Sequence, residues 1–130
     1  MNLDFEVVPQ KSVTVVRCRG RLTYGPETEE FARITRHALD TAKEVVLQMA
    51  EVSQIDSGGI GALGALYMAA HNRNAEVKLA ALHARVAETL RITGLDMLFD
   101  IRDSESAAIT AFARKEKLPV IDLEGAAQAS

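Results

Sequence analysis

The chain is 130 residues long, with 48% apolar and 25% charged residues. That is the size and make-up of one globular domain, able to bury a core without a disulfide or metal staple. Fifteen Lys and Arg stand against eighteen Asp and Glu, a net charge of −3, so no basic surplus is available for a phosphate backbone and nucleic acid is set aside as a partner. The lone cysteine, Cys18, can form neither an internal disulfide nor a cysteine-based metal site and suits a reducing compartment. The opening Met1-Asn2-Leu3-Asp4-Phe5-Glu6 does not read as a secretory signal. No apolar run reaches the roughly 18 residues of a membrane span. The expectation is a soluble, cytoplasmic protein with no membrane insertion.

Leu3 to Val8 opens by alternating apolar and polar residues, the period of a half-buried strand. Pro9-Gln10-Lys11-Ser12 reads as a turn, and Val13 to Gly20 as a second, β-branched strand closing an antiparallel hairpin. Gly25-Pro26 starts a helix over about 26–42, with Pro26 at its first position, Glu27, Glu29 and Glu30 in its first turn, and Phe31, Ile34, Ala38 and Leu39 facing inward. Glu44 to Met49 is a buried central strand. A helix follows over 60–71, then a strand over 76–82. Leu82, Val86 and Leu90 mark a third helix, which Gly94 ends as a left-handed cap. Phe99-Asp100-Ile101 is a short strand, and Asp103 or Ser104 caps a last helix that turns Ala108, Ile109 and Phe112 inward.

The pattern decays from Lys115, so residues 1–115 are read as one domain and 116–130 as a partly disordered tail, in which Ile121-Asp122-Leu123-Glu124 keeps a local alternation. The order β-β-α-β-α-β-α-β-α predicts an α/β fold, a mixed sheet with an antiparallel opening pair, a parallel remainder and four helices.

The segment richest in information is Ile55-Asp56-Ser57-Gly58-Gly59-Ile60-Gly61. A strand ends, the chain turns on small residues, and a helix begins near Ser57 with Asp56 or Ser57 as its cap. Gly58, Gly59 and Gly61 are more than a cap requires and leave the Ser57 hydroxyl open. The helix that follows carries no charge from Ile60 to Ala70, whereas a surface helix normally has a polar face. Leu63, Tyr67 and Met68 are its candidates for a partner-binding face, and each can instead turn inward as core.

Three enzyme-like readings are weaker. Gly59, Gly61 and Gly64 fit the dinucleotide fingerprint by letter, but the next strand ends in Ala80-Ala81-Leu82 with no acid for a ribose. Ser57 lacks the glycine-flanked elbow of a hydrolase nucleophile, and His37, His71 and His83 each sit on or beside a helix among polar residues. A phosphate-binding Walker loop would need a lysine that is absent. No catalytic residue, cofactor or metal is expected.

The chain resembles the STAS domain family, in particular its stand-alone anti-sigma factor antagonists. Three stretches carry the resemblance: Gly20-Arg21-Leu22, the Ile55 to Gly61 turn, and Thr93-Gly94-Leu95-Asp96-Met97-Leu98-Phe99. It extends over about residues 3–113. It implies a bacterial regulator of transcription that switches partners. In the family the first serine of the turn, here Ser57, is phosphorylated by a partner that is both anti-sigma factor and serine kinase; the unphosphorylated form binds that partner, and a serine phosphatase resets the switch. The resemblance also places partner contacts near the loop of Thr23 and Tyr24; Asp56 is read as orienting or tuning Ser57, and Asp56, Gly58, Gly59 and Gly61 are expected at the partner-binding surface with them. Two positions depart from the family's usual D-S-S-G and G-x-L-D forms: Gly58 stands for the second serine and Thr23 for the acid. Other settings open to this family are a subunit of a transporter or stress-sensing assembly, or a nucleotide-binding domain. A homodimer is compatible with the sequence.

Overall fold

The structure, a computed structural model, describes residues 3–117. The chain opens with β1 (Asp4–Gln10) and β2 (Val13–Leu22), paired antiparallel from Asp4↔Arg19 to Gln10↔Val13. Only Lys11 and Ser12 form the turn, and Lys11 takes a φ of 59°, as a two-residue hairpin of native twist requires. The predicted turn is therefore shorter, because Pro9 stays in β1. That strand lies at the sheet edge, where a missing N–H is tolerated.

The remaining elements are α1 (Pro26–Thr41), β3 (Glu44–Ile55), α2 (Ser57–Asn72), β4 (Glu76–Ala80), α3 (Ala84–Thr93), β5 (Asp100–Arg102) and α4 (Glu105–Lys117). The five strands form one sheet in the order β1-β2-β3-β4-β5, and every pair after the first is parallel. The predicted α/β fold and element order are therefore found. A short 3-10 turn over Leu95–Met97 was not anticipated. It follows Gly94, whose φ of 83° ends α3 in the left-handed conformation that its sequence position suggested.

Three boundaries differ from the sequence reading. β3 runs on past Met49 to Ile55, because it stays paired with β2 through Leu22↔Ile55 with two register shifts. Glu51, Ser53 and Gln54 hide this extension, yet Val52 between them is fully buried. β4 stops at Ala80, since Ala81 turns to a φ of 62° and donates its N–H to the Arg102 carbonyl at 3.0 Å. α4 continues to Lys117, so residues 116 and 117 are helical, and the rest of the expected tail lies outside the described residues.

Three helices pack on one face of the sheet. Phe31 and Leu39 from α1, Leu63 and Leu66 from α2, and Val86 and Leu90 from α3 meet Val16, Leu47, Met49 and Leu79. Cys18 belongs to this core, and burial pushes its thiol up to about 12, which leaves it a packing residue. α4 covers the other face, where Ala108 and Phe112 meet Val13, Val15, Val46 and Ala80. The cap that starts α4 is Ser104, whose Oγ accepts the Ala107 N–H at 3.1 Å. Arg17 then grips Glu105 with two parallel bonds of 2.9 and 2.8 Å.

Below the α4 contact, Lys78 is buried at 3% exposure. Its ammonium donates to Asp100 at 2.6 Å and to Glu76 at 2.9 Å, and lies 4.5 Å from the centre of the Phe112 ring. A buried cation is tolerated only when paired in this way. Lys78→Ala leaves the carboxylates without their shared cation and opens a void under Phe112. We expect a loss of about 2–3 kcal/mol, seen as a lower urea midpoint.

Arg102 above all, and then Lys78, hold the Asp100 carboxyl at about 2, below its usual 3.8, against the opposing effect of burial. A depressed carboxylate stabilises the fold above its unfolded value, and that contribution fades as pH falls through the folded one. The melting temperatures of the wild type and Asp100→Asn should differ at neutral pH and converge between about pH 4 and pH 2. Curves that stay parallel down to that pH would remove Asp100 from the acid response.

Candidate functional site

Because β2 and β3 are parallel and level at Leu22↔Ile55, their carboxyl ends release two loops side by side. Asp56 joins them. Its N–H reaches the Leu22 carbonyl at 3.4 Å. Its carboxylate caps α2 by accepting the Gly59 N–H at 3.1 Å, and takes the Tyr24 N–H with both oxygens at 3.0 Å. The cap of α2 is thus Asp56, in extended backbone, and Ser57 is the first helical residue. The Tyr24 bond first, and the Gly59 bond second, hold the Asp56 carboxyl below the usual carboxylate range, so it is ionised at neutral pH. Ser57 is exposed and stands directly beside that charge.

The glycines divide by role. A Cβ on Gly58 would lie 2.6 Å from the Tyr24 Cα, and one on Gly59 only 2.3 Å from the Leu22 carbonyl oxygen. Gly58 is demanded by the close approach of Tyr24 in the β2–α1 loop and Gly59 by the end of β2, a packing requirement that the sequence reading, which took them as clearance for Ser57, did not include. Gly59 is buried and offers nothing to a partner. Gly61 is exposed, with open space where a Cβ would go. The family's usual serine in place of Gly58 could not fit unless the Tyr24 backbone moved.

Of the three residues expected to form a partner face, Leu63 is fully buried in the core, and that expectation fails for it. Tyr67 is half-buried, edge-on to Phe99 with ring centres 5.7 Å apart. Met68 is 53% exposed and Tyr24 is 83% exposed, while Thr23 is half-buried. The solvent face of α2 reads Ser57, Gly61, Ala65, Met68, a spacing that puts all four on one stripe. This stripe is uncharged, with Tyr24 against the first turn of the helix at Gly58. The sequence reading missed Ile92 (70% exposed) and Met97 (86% exposed), together with the exposed Leu98. For the last two the available signal was the run Met97-Leu98-Phe99 between α3 and β5, of which only Phe99 is buried.

The other candidate chemistry does not gather here. Gly59, Gly61 and Gly64 all lie inside α2, not in a loop before it, so the glycine letters do not form a phosphate-cradling turn. His71 sits at the far end of α2, about 20 Å along the axis from Ser57; His37 is on α1 and His83 precedes α3. Among the described residues no group of three or more His, Cys, Asp or Glu is placed to hold a metal ion. No helix among them is long and apolar enough to cross a membrane.

The glycine assignment is testable by thermal melts of three variants. Gly59→Ala and Gly58→Ala should each destabilise by about 1–3 kcal/mol, Gly59→Ala the more because its added Cβ would lie closer to backbone, 2.3 Å against 2.6 Å. Gly61→Ala should be neutral or stabilise by up to about 1 kcal/mol, as expected at an open helical position. Equal effects at Gly59 and Gly61 would refute the division.

Comparison with known proteins agrees with this fold. A crystal structure of an anti-sigma factor antagonist from Mycobacterium paratuberculosis matches with a TM-score of 0.74 and 20% identity, covering 85% of this chain and 93% of that one. The Bacillus cell fate determinant SpoIIAA in its phosphorylated form matches with a TM-score of 0.65 and 16% identity, over 84% of this chain and 99% of that one. The STAS domain of a SulP transporter from Vibrio cholerae has a TM-score of 0.65 and 18% identity, over 86% and 89%. At these identities the likeness is one of fold. The family model for the STAS domain matches residues 4–108, and the chain accordingly belongs to the STAS domain family.

Proposed function

We propose that this chain is an anti-sigma factor antagonist, a cytoplasmic binding module without catalytic activity of its own. With Ser57 unmodified it sequesters an anti-sigma factor that is also a serine kinase. Phosphorylation of Ser57 by that kinase ends the complex, and a serine phosphatase restores it. The observation that carries the reading is the exposed Ser57 at the head of the uncharged stripe Gly61, Ala65, Met68, next to the exposed ring of Tyr24. Fold similarity to a bacterial anti-sigma factor antagonist and to SpoIIAA supports it.

The physics suits a switch. A phosphate adds about −1.5 to −2 charges. A partner surface matched to a neutral hydroxyl and an apolar stripe would then face bulk, desolvation cost and the like charge of Asp56. A loss of about 3–4 kcal/mol corresponds to a few hundredfold in affinity.

A second reading rests on the fold match to a transporter's STAS domain: the chain would then serve as a soluble subunit of a transporter. Co-purification with a permease from solubilised membranes, and not with a kinase, would favour it.

The test of the first reading is binding of Ser57→Ala and Ser57→Asp to the cognate kinase, with mass spectrometry of the wild type after incubation with kinase and ATP. Ser57→Ala should bind like the wild type, Ser57→Asp at least about a hundredfold more weakly, and phosphate should map to Ser57. Equal binding by the two variants would discredit the switch.

A further inference from the structure

A second surface lies away from Ser57, between β1 and α1. It is a groove of about 820 Å³, the size of a small-molecule site. Phe5, Val7 and Pro9 of the strand form one wall, and Ile34 and Ala38 of the helix form the other. The strand residues alternate and the helix residues are a turn apart, so each wall is one face of its element. Val7 stands 49% exposed at the centre of the strand wall.

The groove changes character once along its length. At one end Phe5 packs on Phe31, ring centres 6.3 Å apart, and closes the slot with apolar surface. At the other end the β1–β2 turn and the α1–β3 connection bring Lys11, Ser12, Thr41 and Lys43 to an open mouth. The charge of the groove is positive. Lys11, Arg33 and Lys43 line it against a single carboxylate, Glu44, in a chain of net charge −3. Arg33 is shared with Glu30, but the Lys43 ammonium rests on the neutral Arg73 carbonyl at 2.6 Å, and Lys11 makes no ion pair among the described residues. The acids of β1, Asp4 and Glu6, stand at the alternate positions and so on the opposite face of the sheet, where Glu6 pairs with Arg17.

We propose that this groove binds one long-chain fatty-acid anion, its alkyl chain laid between β1 and α1 and its carboxylate at the Lys11 end. A ligand with one apolar tail and one negative head matches a slot that is apolar and closed at one end, cationic and open at the other. Burial of the tail supplies affinity, and the lysine and the hydroxyls at the mouth set its direction. The groove shares no residue with the Ser57 stripe, so the proposal stands apart from the function proposed above, and both surfaces can be filled at once.

The probe is sodium dodecanoate, kept below its micelle-forming concentration, titrated into the full chain and read by calorimetry and by amide chemical shifts of the isotope-labelled protein. One saturable site is expected, with the largest shifts in β1, α1 and the two connections at the mouth. Dodecylammonium, with the same tail and the opposite head charge, should bind at least about tenfold more weakly, the equivalent of 1.4 kcal/mol. Val7→Asp and Lys11→Glu, both at exposed positions and checked for unchanged melting, separate tail from head. Val7→Asp should weaken dodecanoate and the neutral dodecanol alike, about tenfold; Lys11→Glu should weaken dodecanoate by as much and leave dodecanol unchanged. If Val7→Asp melts lower, the Lys11→Glu comparison decides. Ser57→Asp should bind dodecanoate like the wild type. Absence of a saturable site, equal binding of dodecylammonium, undiminished dodecanoate binding by Lys11→Glu, or loss on Ser57→Asp would each overturn the proposal. So would capture by phosphatidylglycerol vesicles that Lys11→Glu abolishes while monomeric dodecanoate fails to bind, because the face would then meet a membrane. A wild-type dimer that Val7→Asp dissolves would also overturn it, because a second copy would then be the occupant.

Discussion

The carboxylate of Asp56 holds together two loops and a helix start that are far apart in sequence. It takes the N–H of Tyr24 from the loop after β2 and the N–H of Gly59 from the first turn of α2. Much of the local sequence follows from those bonds. Drawing Tyr24 down onto the helix leaves no room for a side chain at Gly58, and drawing the helix start against the end of β2 leaves none at Gly59. The same bonds explain why Asp56 is charged in a segment otherwise made of small and apolar residues: backbone donors favour the ionised form and lower its affinity for a proton.

What could be read from the sequence was what depends on neighbours along the chain. Gly25-Pro26 opened α1, Gly94 closed α3 and Ser104 capped α4, because each signal acts within one turn of helix. The order of strands and helices followed from periodicity in the same way. What could not be read depends on partners across the fold. The second half of β3 looks polar, and only its continued pairing with β2 makes it a strand. Gly58 and Gly59 look like flexible spacers until Tyr24 and Leu22 are placed against them.

The failure at Leu63 has a related cause. A helix whose rotation can be read from its sequence needs a polar side to contrast with its apolar one. α2 has no charge between Ile60 and Ala70, so Leu63, Tyr67 and Met68 were equivalent as candidates for either environment. Packing decided between them: Leu63 went into the core, Tyr67 leaned on Phe99, and Met68 stayed out. The side left facing water is lined by Gly61 and Ala65, residues small enough to leave a smooth surface and to cost little when exposed. An uncharged helix face of this kind gives a partner close access to the backbone, at some expense in helix propensity.

The rigidity of this corner bears on how a charge at Ser57 would act under the proposed function. α2 has no slack against β2, since even a methyl group at Gly59 would meet the Leu22 carbonyl, and Asp56 already occupies the capping position. A phosphate on Ser57 would share the start of α2 with a carboxylate that already accepts the Tyr24 and Gly59 N–H groups. The helix N-terminus favours its charge by about 0.3–1 kcal/mol, while Asp56 opposes it, so the net effect on the fold is small. The consequence falls on whatever meets the surface. A patch carrying the single charge of Asp56 becomes one carrying up to about three negative charges, on a scaffold that has not moved. Discrimination between the two states would then reside in the partner's intolerance of charge, with no shape change required of this domain.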